Sequence, residues 1–446
     1  MRRYSQALIC GLGASGAAAA RLLRAEGVPV RAVDQRDTPE TRAQGDELAA
    51  LGCEVERGAA EVPPGNFDMA VVSPGWPADG PFLAGLRARG IPLVSELELG
   101  WSRFRGRTLA VTGSNGKSSV VKALADAFRL AGLAAVPCGN YGLPVCRAVM
   151  DHPAADWLVI EVSSFQLETC ADFRPDVGLL LNVLPNHLDR HGTMETYARL
   201  KARLFSCQRA GDAALAPVEW IERFREWSGG QGTWRSFGSE PQGDCVYAPG
   251  RITCGGESIS LAGSPFDNAV MGPNASGLIG AGRAAGLAPE ILRRALAEFM
   301  PLPHRACPAG EYGGVLYVDD SKATNLAALM ASIRMQRRPV WLIAGGRPKE
   351  TDFAAADPVL RERVRGVFLI GEAAPVLAAA WGRAVSCRDC GTLDRAVAEA
   401  RAAAKPGDCI LLAPACTSYD QFRSYAERGE AFRRCAAGEK SADGKT

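Results

Sequence analysis

The chain has 446 residues, a formal net charge of +2, and 47% hydrophobic against 22% charged residues. That length suits about three ordinary domains, and the balanced charge leaves no footprint for nucleic acid or an anionic membrane surface. No apolar stretch reaches the roughly 18 residues of a transmembrane helix, and the fourteen cysteines are scattered, so they read as small buried side chains of a reducing cytosol rather than a disulfide framework.

The N-terminus, MRRYSQALICGLGASG, is basic and then apolar, but it runs straight into a glycine pattern with no separate cleavage region, so it is not read as a signal peptide. Ala7 to Cys10 predicts a buried strand. Gly11, Gly13 and Gly16 follow, with Ser15 between them, and then an apolar helix through Leu22 and Leu23. The next strand, VPVRAVD, ends at Asp34, where a ribose-binding carboxylate would sit. Three readings stay open on these residues: an NAD site, a tight strand-to-helix turn without ligand, or a site for another nucleotide diphosphate such as UDP. The turn Ser73-Pro74-Gly75, after the strand MAVVS, lies at a further strand end and is expected to line the same crevice.

From Thr108 the strand TLAVT leads into Gly113-Ser114-Asn115-Gly116-Lys117-Ser118-Ser119. A standard phosphate loop has its first glycine two positions earlier, where this chain has Val111. The strand before it and the helix after it, apolar at Val120, Val121, Leu124, Ala127 and Phe128, are the context that such a loop requires. Two glycines turn the amides toward an anion, Lys117 supplies a point charge and Ser118 can reach magnesium. Further on, WLVI ends at Glu161, followed by Ser163, and a carboxylate at a buried strand end needs a partner or a metal. The strand VGLLLNV ends in Leu184-Pro185-Asn186-His187-Leu188-Asp189-Arg190-His191, holding two of the four histidines. By spacing alone, Lys201 is an exposed lysine on the helix that follows. Residues 233–262 change to short segments with glycine turns and predict a small antiparallel insertion.

MPLPHR, around Pro301 and Pro303, marks a linker to a third unit. There, strands end in Asp319-Asp320-Ser321-Lys322, in Arg347-Pro348-Lys349 and in Thr417-Ser418-Tyr419. Polar groups crowding three strand ends describe the open edge of a doubly wound sheet, and lysines there suit an acidic small substrate. Taken singly, each cluster is also consistent with helix capping. The C-x-x-C of Cys387 and Cys390 has no second pair and carries little weight for zinc. The tail AAGEKSADGKT lacks apolar anchors and is expected to be disordered.

GLGASG, TGSNGKSS, EVSSFQL, LNVLPNHLDRH, YARLKARLF, LPHR, DDSKATN, AGGRPKETDF and LAPACTSYDQF resemble, in this order and over roughly residues 7 to 435, the motifs of the Mur ligase family. The short G-x-x-G-K-[ST] loop is the form that these ligases use. The resemblance implies an α/β fold of three domains: a Rossmann-like UDP-sugar domain over 1–105, a P-loop-type ATPase domain with a mostly parallel sheet over 106–301, and a Rossmann-like glutamate domain over 302–446. It implies an ADP-forming, cytoplasmic and monomeric enzyme that adds glutamate to UDP-N-acetylmuramoyl-L-alanine. ATP would phosphorylate the substrate carboxylate, and the glutamate amine would then attack the acyl phosphate. By resemblance, Lys117 binds the γ-phosphate; Ser118 and Glu161 surround one magnesium ion; His187 and a carbamylated Lys201 hold a second. Asn140, in CGNYG, touches the muramoyl portion. His304, Arg305 and Asp320 contact ATP. Lys322, Thr324, Lys349 and Ser418 hold glutamate, with Tyr419 and Tyr425 alongside, and Ser15, Gly16, Asp34 and the Ser73–Gly75 turn hold UDP. The chain departs from the family pattern at Asn186, Val270, Met271, Arg347, Tyr419 and Tyr425. The stereochemistry of glutamate, another amino acid as substrate, and loss of catalysis with nucleotide binding retained stay open on the residues alone.

Overall fold

The computed structural model describes residues 4–77, 79–349 and 352–439, without the side chain of Asp189. The expectation for the extreme C-terminal tail, from Lys440 on, lies outside these residues, as do Glu350 and Thr351 of AGGRPKETDF. The chain divides into two compact units: residues up to Phe266 together with Gly272–Glu298, and Asp267–Met271 together with residues from Phe299 on.

The first unit holds two sheets. Strands β1 (Ala7–Cys10), β2 (Val30–Asp34), β3 (Glu54–Arg57), β4 (Met69–Val72) and β5 (Leu93–Ser95) form a parallel sheet in the order β3-β2-β1-β4-β5. The order reverses between β1 and β4, so the loops after these strands part and leave a crevice at their C-terminal ends. Gly16, on the helix Ala14–Ala25, packs so closely that a Cβ there would lie 1.8 Å from the Gly11 carbonyl oxygen. That contact holds the helix N-terminus against the first strand's turn.

The second sheet contains β6 (Arg107–Thr112), β7 (Ala135–Gly139), β8 (Trp157–Glu161), β9 (Val177–Leu180), β10 (Ala213–Pro217), β11 (Thr233–Gly238), β12 (Cys245–Ala248), β13 (Arg251–Cys254) and β14 (Glu257–Ser260). Their order is β14-β13-β12-β11-β10-β9-β6-β8-β7. β6 is central, paired in parallel with both β8 and β9, and its apolar run is fully buried from Leu109 to Val111. The predicted antiparallel insertion is confined to β12–β14; β11 joins β10 in parallel and belongs to the main sheet. The cysteines form no disulfide framework: among the described residues one pair is joined and the others are free. Cys245 and Cys254 face each other directly across β12 and β13, with Cα atoms 4.2 Å apart, and form a disulfide. Cross-strand neighbours come this close without any framework of cysteines.

Two carboxylates in the sequence SELEL join the two sheets. Ser95 caps the helix Glu96–Trp101 by accepting the Glu98 N–H. Glu96 accepts the Cys146 N–H at 2.6 Å, and Glu98 accepts those of Ala171 and Asp172 at 2.6 and 3.0 Å. The second oxygen of Glu96 is buried without a partner, and burial pushes this carboxyl up to about 7. An unfolded glutamate loses its proton near pH 4.5. Between that value and about 7 the folded chain therefore holds a proton that the unfolded chain has released, and the group's contribution to stability falls as pH rises through this window. Glu96→Gln keeps the acceptor oxygen and removes the titration. We expect it to stabilise the protein by about 3 kcal/mol more at pH 8 than at pH 4.5. Equal gains in urea midpoint at the two pH values would rule this out.

The second unit carries one sheet: β15 (Cys307–Tyr312), β16 (Val315–Asp319), β17 (Val340–Gly345), β18 (Val364–Ile370), β19 (Cys387–Gly391) and β20 (Cys409–Ala415), in the order β15-β16-β20-β17-β18-β19. Only β15 is antiparallel. Cys387 and Cys390 both lie on β19, and among the described residues no group of three or more His, Cys, Asp or Glu side chains is arranged to hold a metal.

Candidate active site

The phosphate loop sits after β6, between the ends of β8 and β9. Gly116 adopts φ +86° and caps the helix Lys117–Leu130 with no side-chain acceptor. Only glycine fits, because a Cβ would also stand 2.5 Å from Asn274 Nδ2. The loop's own N–H groups are divided between two tasks. Asn182 Oδ1, at the end of β9, accepts the N–H groups of Ser114 and Asn115 at 3.1 and 2.9 Å. An anion at this loop would meet the first turn of the helix, whose N–H groups have no intrahelical partners and whose dipole attracts negative charge. Asn182 Nδ2 also donates to Asn115 O and to Asn274 Oδ1, so one side chain fixes the loop from both directions.

Two lysines converge on this loop. Lys117 Nζ donates to the carbonyls of Gly113 and Ser114 at 2.8 and 3.1 Å, and Lys201 Nζ donates to Gly113 O at 3.1 Å. Lys201 is not the exposed helical lysine that spacing alone suggests; it is 1% exposed. Burial first, and the Lys117 charge second, hold its ammonium well below the usual lysine range. A shift in this direction favours the neutral, nucleophilic form of the amine.

Ser118 Oγ donates to Glu161 Oε2 at 2.6 Å, and Asn140 Nδ2 donates to Glu161 Oε1 at 2.7 Å. The buried strand-end carboxylate therefore joins the phosphate loop to CGNYG. Ser163 caps the short helix Ser164–Leu167 in a reciprocal pair with Gln166. Ser119 lies within the first turn of the phosphate-loop helix. His187 is exposed, has φ +55°, and lays its ring 4.8 Å from Phe165.

The crevice of the first sheet has a volume of about 380 Å³ and is lined by Gly11, Ser15, Asp34, Arg36, the Ser73–Gly75 turn and Trp76. Asp34 is 3% exposed; it accepts the Leu12 N–H at 2.9 Å with one oxygen and the Arg36 N–H at 2.9 Å with the other. Gly16 does not line the crevice; it sits beneath the turn, in the close contact described above.

In the second unit, Asp319 rather than Asp320 is the buried hub. Its carboxylate accepts from His304 Nδ1 at 2.7 Å, Arg433 Nε at 2.9 Å and the Ser321 N–H at 3.0 Å. His304 has φ +59° and is packed so tightly on Gly429 that a Cβ there would lie 2.1 Å from its Nδ1. Asp320 is pushed up to about 6, chiefly by burial, with Arg305 among the charges that pull it back. Lys322 Nζ stands 3.8 Å over the ring of Tyr425. Thr324 donates its N–H to Lys322 O at 2.8 Å. Ser418 is buried, its carbonyl accepting from the Phe422 N–H at 2.8 Å, while Lys349 and Tyr419 are exposed. Arg347 pairs with Glu372 at 2.9 Å.

Arg428, which sequence reasoning missed, is wholly buried and donates to Ser321 Oγ and to the carbonyls of Ser321, Cys416 and Gly345, at 2.9 to 3.4 Å. It ties together the loops after β16, β20 and β17, which carry Lys322, Ser418 and Lys349. Nothing in the local sequence separates it from its neighbours Arg423, Arg433 and Arg434.

Known proteins bear on this geometry. The chain matches the Mur ligase MurD-like N-terminal domain over residues 5–95, the Mur ligase middle domain over 111–269, and the Mur ligase, glutamate ligase domain over 304–416. It is 40% identical over 435 residues to the UDP-N-acetylmuramoylalanine–D-glutamate ligase of Nitratidesulfovibrio vulgaris, covering 96% of this chain and 95% of that one. The enzyme of the same name from Acidobacterium capsulatum is 36% identical over 436 residues, again covering 96% of this chain and 95% of that one. Among solved structures, the fold matches MurF ligase of Thermotoga maritima in complex with ADP, with a TM-score of 0.64, 18% identity, and coverage of 92% of this chain and 95% of that one. With the three matched domains in order and near-complete coverage by relatives well above 30% identity, this chain belongs to the Mur ligase family, on the branch of the UDP-N-acetylmuramoylalanine–D-glutamate ligases.

Proposed function

We infer that this protein joins D-glutamate to UDP-N-acetylmuramoylalanine at the expense of ATP, forming ADP and phosphate, in the synthesis of peptidoglycan precursors. The observation that carries this reading is the likeness, along 96% of the chain, to ligases of that name. The site chemistry supports it. A carboxylate is too poor an electrophile for an amine, so its oxygen first takes the γ-phosphoryl group from ATP and ADP leaves. The glutamate amine then attacks the acyl carbon, loses a proton, and phosphate departs. Charge moves between phosphate oxygens throughout, and Lys117 with the helix N-terminus behind Gly116 supplies positive potential there.

Magnesium fits the residues present. Ser118 Oγ and Glu161 Oε2, 2.6 Å apart, offer a hydroxyl and a carboxylate, the hard oxygen donors that magnesium takes when phosphate and water complete its shell. Bound there, magnesium would neutralise developing phosphate charge. We place a second ion at His187 and Lys201: burial shifts this amine toward the neutral form that adds carbon dioxide, and the resulting carbamate is a hard oxygen ligand. We assign UDP-sugar to the domain over 1–105, ATP to 106–301 and glutamate to 302–446, and propose a cytoplasmic monomer. No helix of the described residues is long and apolar enough to cross a membrane.

The test is phosphate release with mass analysis of the UDP-sugar, run in parallel with D- and L-glutamate. Product with D-glutamate alone is the expected result. Product with L-glutamate alone would change the substrate, and no product with either would overturn the assignment.

A further inference from the structure

One arginine of the first unit belongs to neither the phosphate loop nor the nucleotide crevice, yet it touches the structure around both. Arg190 Nη1 donates to Pro74 O at 3.0 Å and Nη2 to Trp76 O at 2.7 Å. These carbonyls belong to the turn that lines the crevice of the first sheet. The same guanidinium is held by Glu168 through Nε at 3.2 Å and Nη2 at 2.5 Å, and it lies 4.4 Å over the Phe165 ring. Glu168 and Phe165 stand in the segment after β8, and Arg190 itself stands in the segment after β9. One rigid fork thus spans three loops from two sheets.

The contacts continue to the phosphate loop. The Phe165 ring lies 5.2 Å from His191, which stacks on Tyr197 at 5.3 Å, and the Tyr197 hydroxyl stands 3.1 Å from Ser114 Oγ. By a second route, Ser114 Oγ accepts the Leu184 N–H at 2.8 Å and donates to Leu184 O at 3.0 Å, fixing the start of the segment that carries Arg190. Packed rings and charge-assisted hydrogen bonds transmit small displacements because they do not deform continuously.

We propose that Arg190 is a positioning residue that couples the crevice to the phosphate loop, so that a nucleoside diphosphate in the first and a nucleoside triphosphate at the second each favour the other. This rests on the ligase reading, in which one substrate reaches from the crevice to the γ-phosphate. An occupied crevice fixes the Ser73–Trp76 turn; the turn fixes Arg190 through two carbonyls; and Arg190 holds the loops after β8 and β9 in the arrangement that receives phosphate. Linkage makes the effect reciprocal.

The experiment measures UDP binding to the full-length protein by calorimetry, with and without a non-hydrolysable ATP analogue and magnesium chloride. In the wild type we expect the analogue to tighten UDP about fivefold or more. In Arg190→Gln the ratio falls to about one, while each ligand alone binds within about threefold of wild type. Arg190→Lys, which keeps the charge and loses the fork, should not restore the ratio. If Arg190→Gln fails to fold, Glu168→Gln, which loosens the fork's anchor, is expected to reduce the ratio in its place. An equal ratio in wild type and variants, or two ligands that bind independently in the wild type, would overturn the coupling and leave the ligase reading intact. A wild type that binds neither probe would overturn both.

Discussion

Lys117→Ala is expected to lower kcat by at least about 10²–10³-fold, the usual cost of removing one preorganised group from a developing anionic charge. The geometry makes the loss hard to compensate. Lys117 is held at the mouth of the loop by the carbonyls of Gly113 and Ser114. The other nearby amine, Lys201, is buried, and burial weighs against its charged form, so it is a poor replacement for the Lys117 charge. Losing Lys117 removes the like charge that depresses Lys201, and the remaining lysine should regain basicity only partly, since burial is the larger cause. The crevice of the first sheet is a separate cavity, so UDP affinity serves as the control for folding. Phosphate release within tenfold of wild type, with UDP binding intact, would remove Lys117 from the chemistry.

Arg428→Met carries the second large effect, in stability and in substrate affinity together. The guanidinium is fully buried, and three carbonyls with one hydroxyl depend on it. Burial lowers it to about 10, so it remains charged at neutral pH. Methionine fills most of the volume but leaves those acceptors without a donor. The expected loss is about 3–5 kcal/mol, read as a shift in urea midpoint. Because the carbonyls belong to the loops after β16, β17 and β20, KM for glutamate should rise at temperatures where the variant is still folded. Arg428→Lys, able to satisfy fewer acceptors, should fall between the two. An unchanged midpoint and KM in Arg428→Met would show that the loops hold their form without the cation.

Much of the candidate site's layout could be read from the chain because its parts are local. A glycine-rich turn, the lysine one residue past its last glycine, and an apolar helix behind it form one continuous stretch, and the parallel sheet places the ends of β6, β8 and β9 side by side. Asp34, Glu161 and the residues after β16 were visible as polar groups closing apolar runs. The groups that steady these parts were not visible. Asn182 reaches a loop about seventy positions earlier, Arg428 serves three loops from a helix near the C-terminus, and Arg190 leaves its own motif to meet the turn at Pro74 and Trp76. Each is an ordinary residue until the sheet order brings its partners within hydrogen-bonding distance.

The amino-acid sequence alone determined the layered α/β class, the three successive sheets and the short phosphate loop, because apolar periodicity and glycine conformation act over a few residues. Tertiary structure decided which of two adjacent aspartates became the buried hub. Asp319 closes β16 on the side facing His304 and Arg433, and Asp320 is one position out of that register. It also decided the state of Lys201. Spacing marks it as an exposed helical lysine, and only the packing of its helix against the phosphate loop removes the water that favours the charged form of its amine.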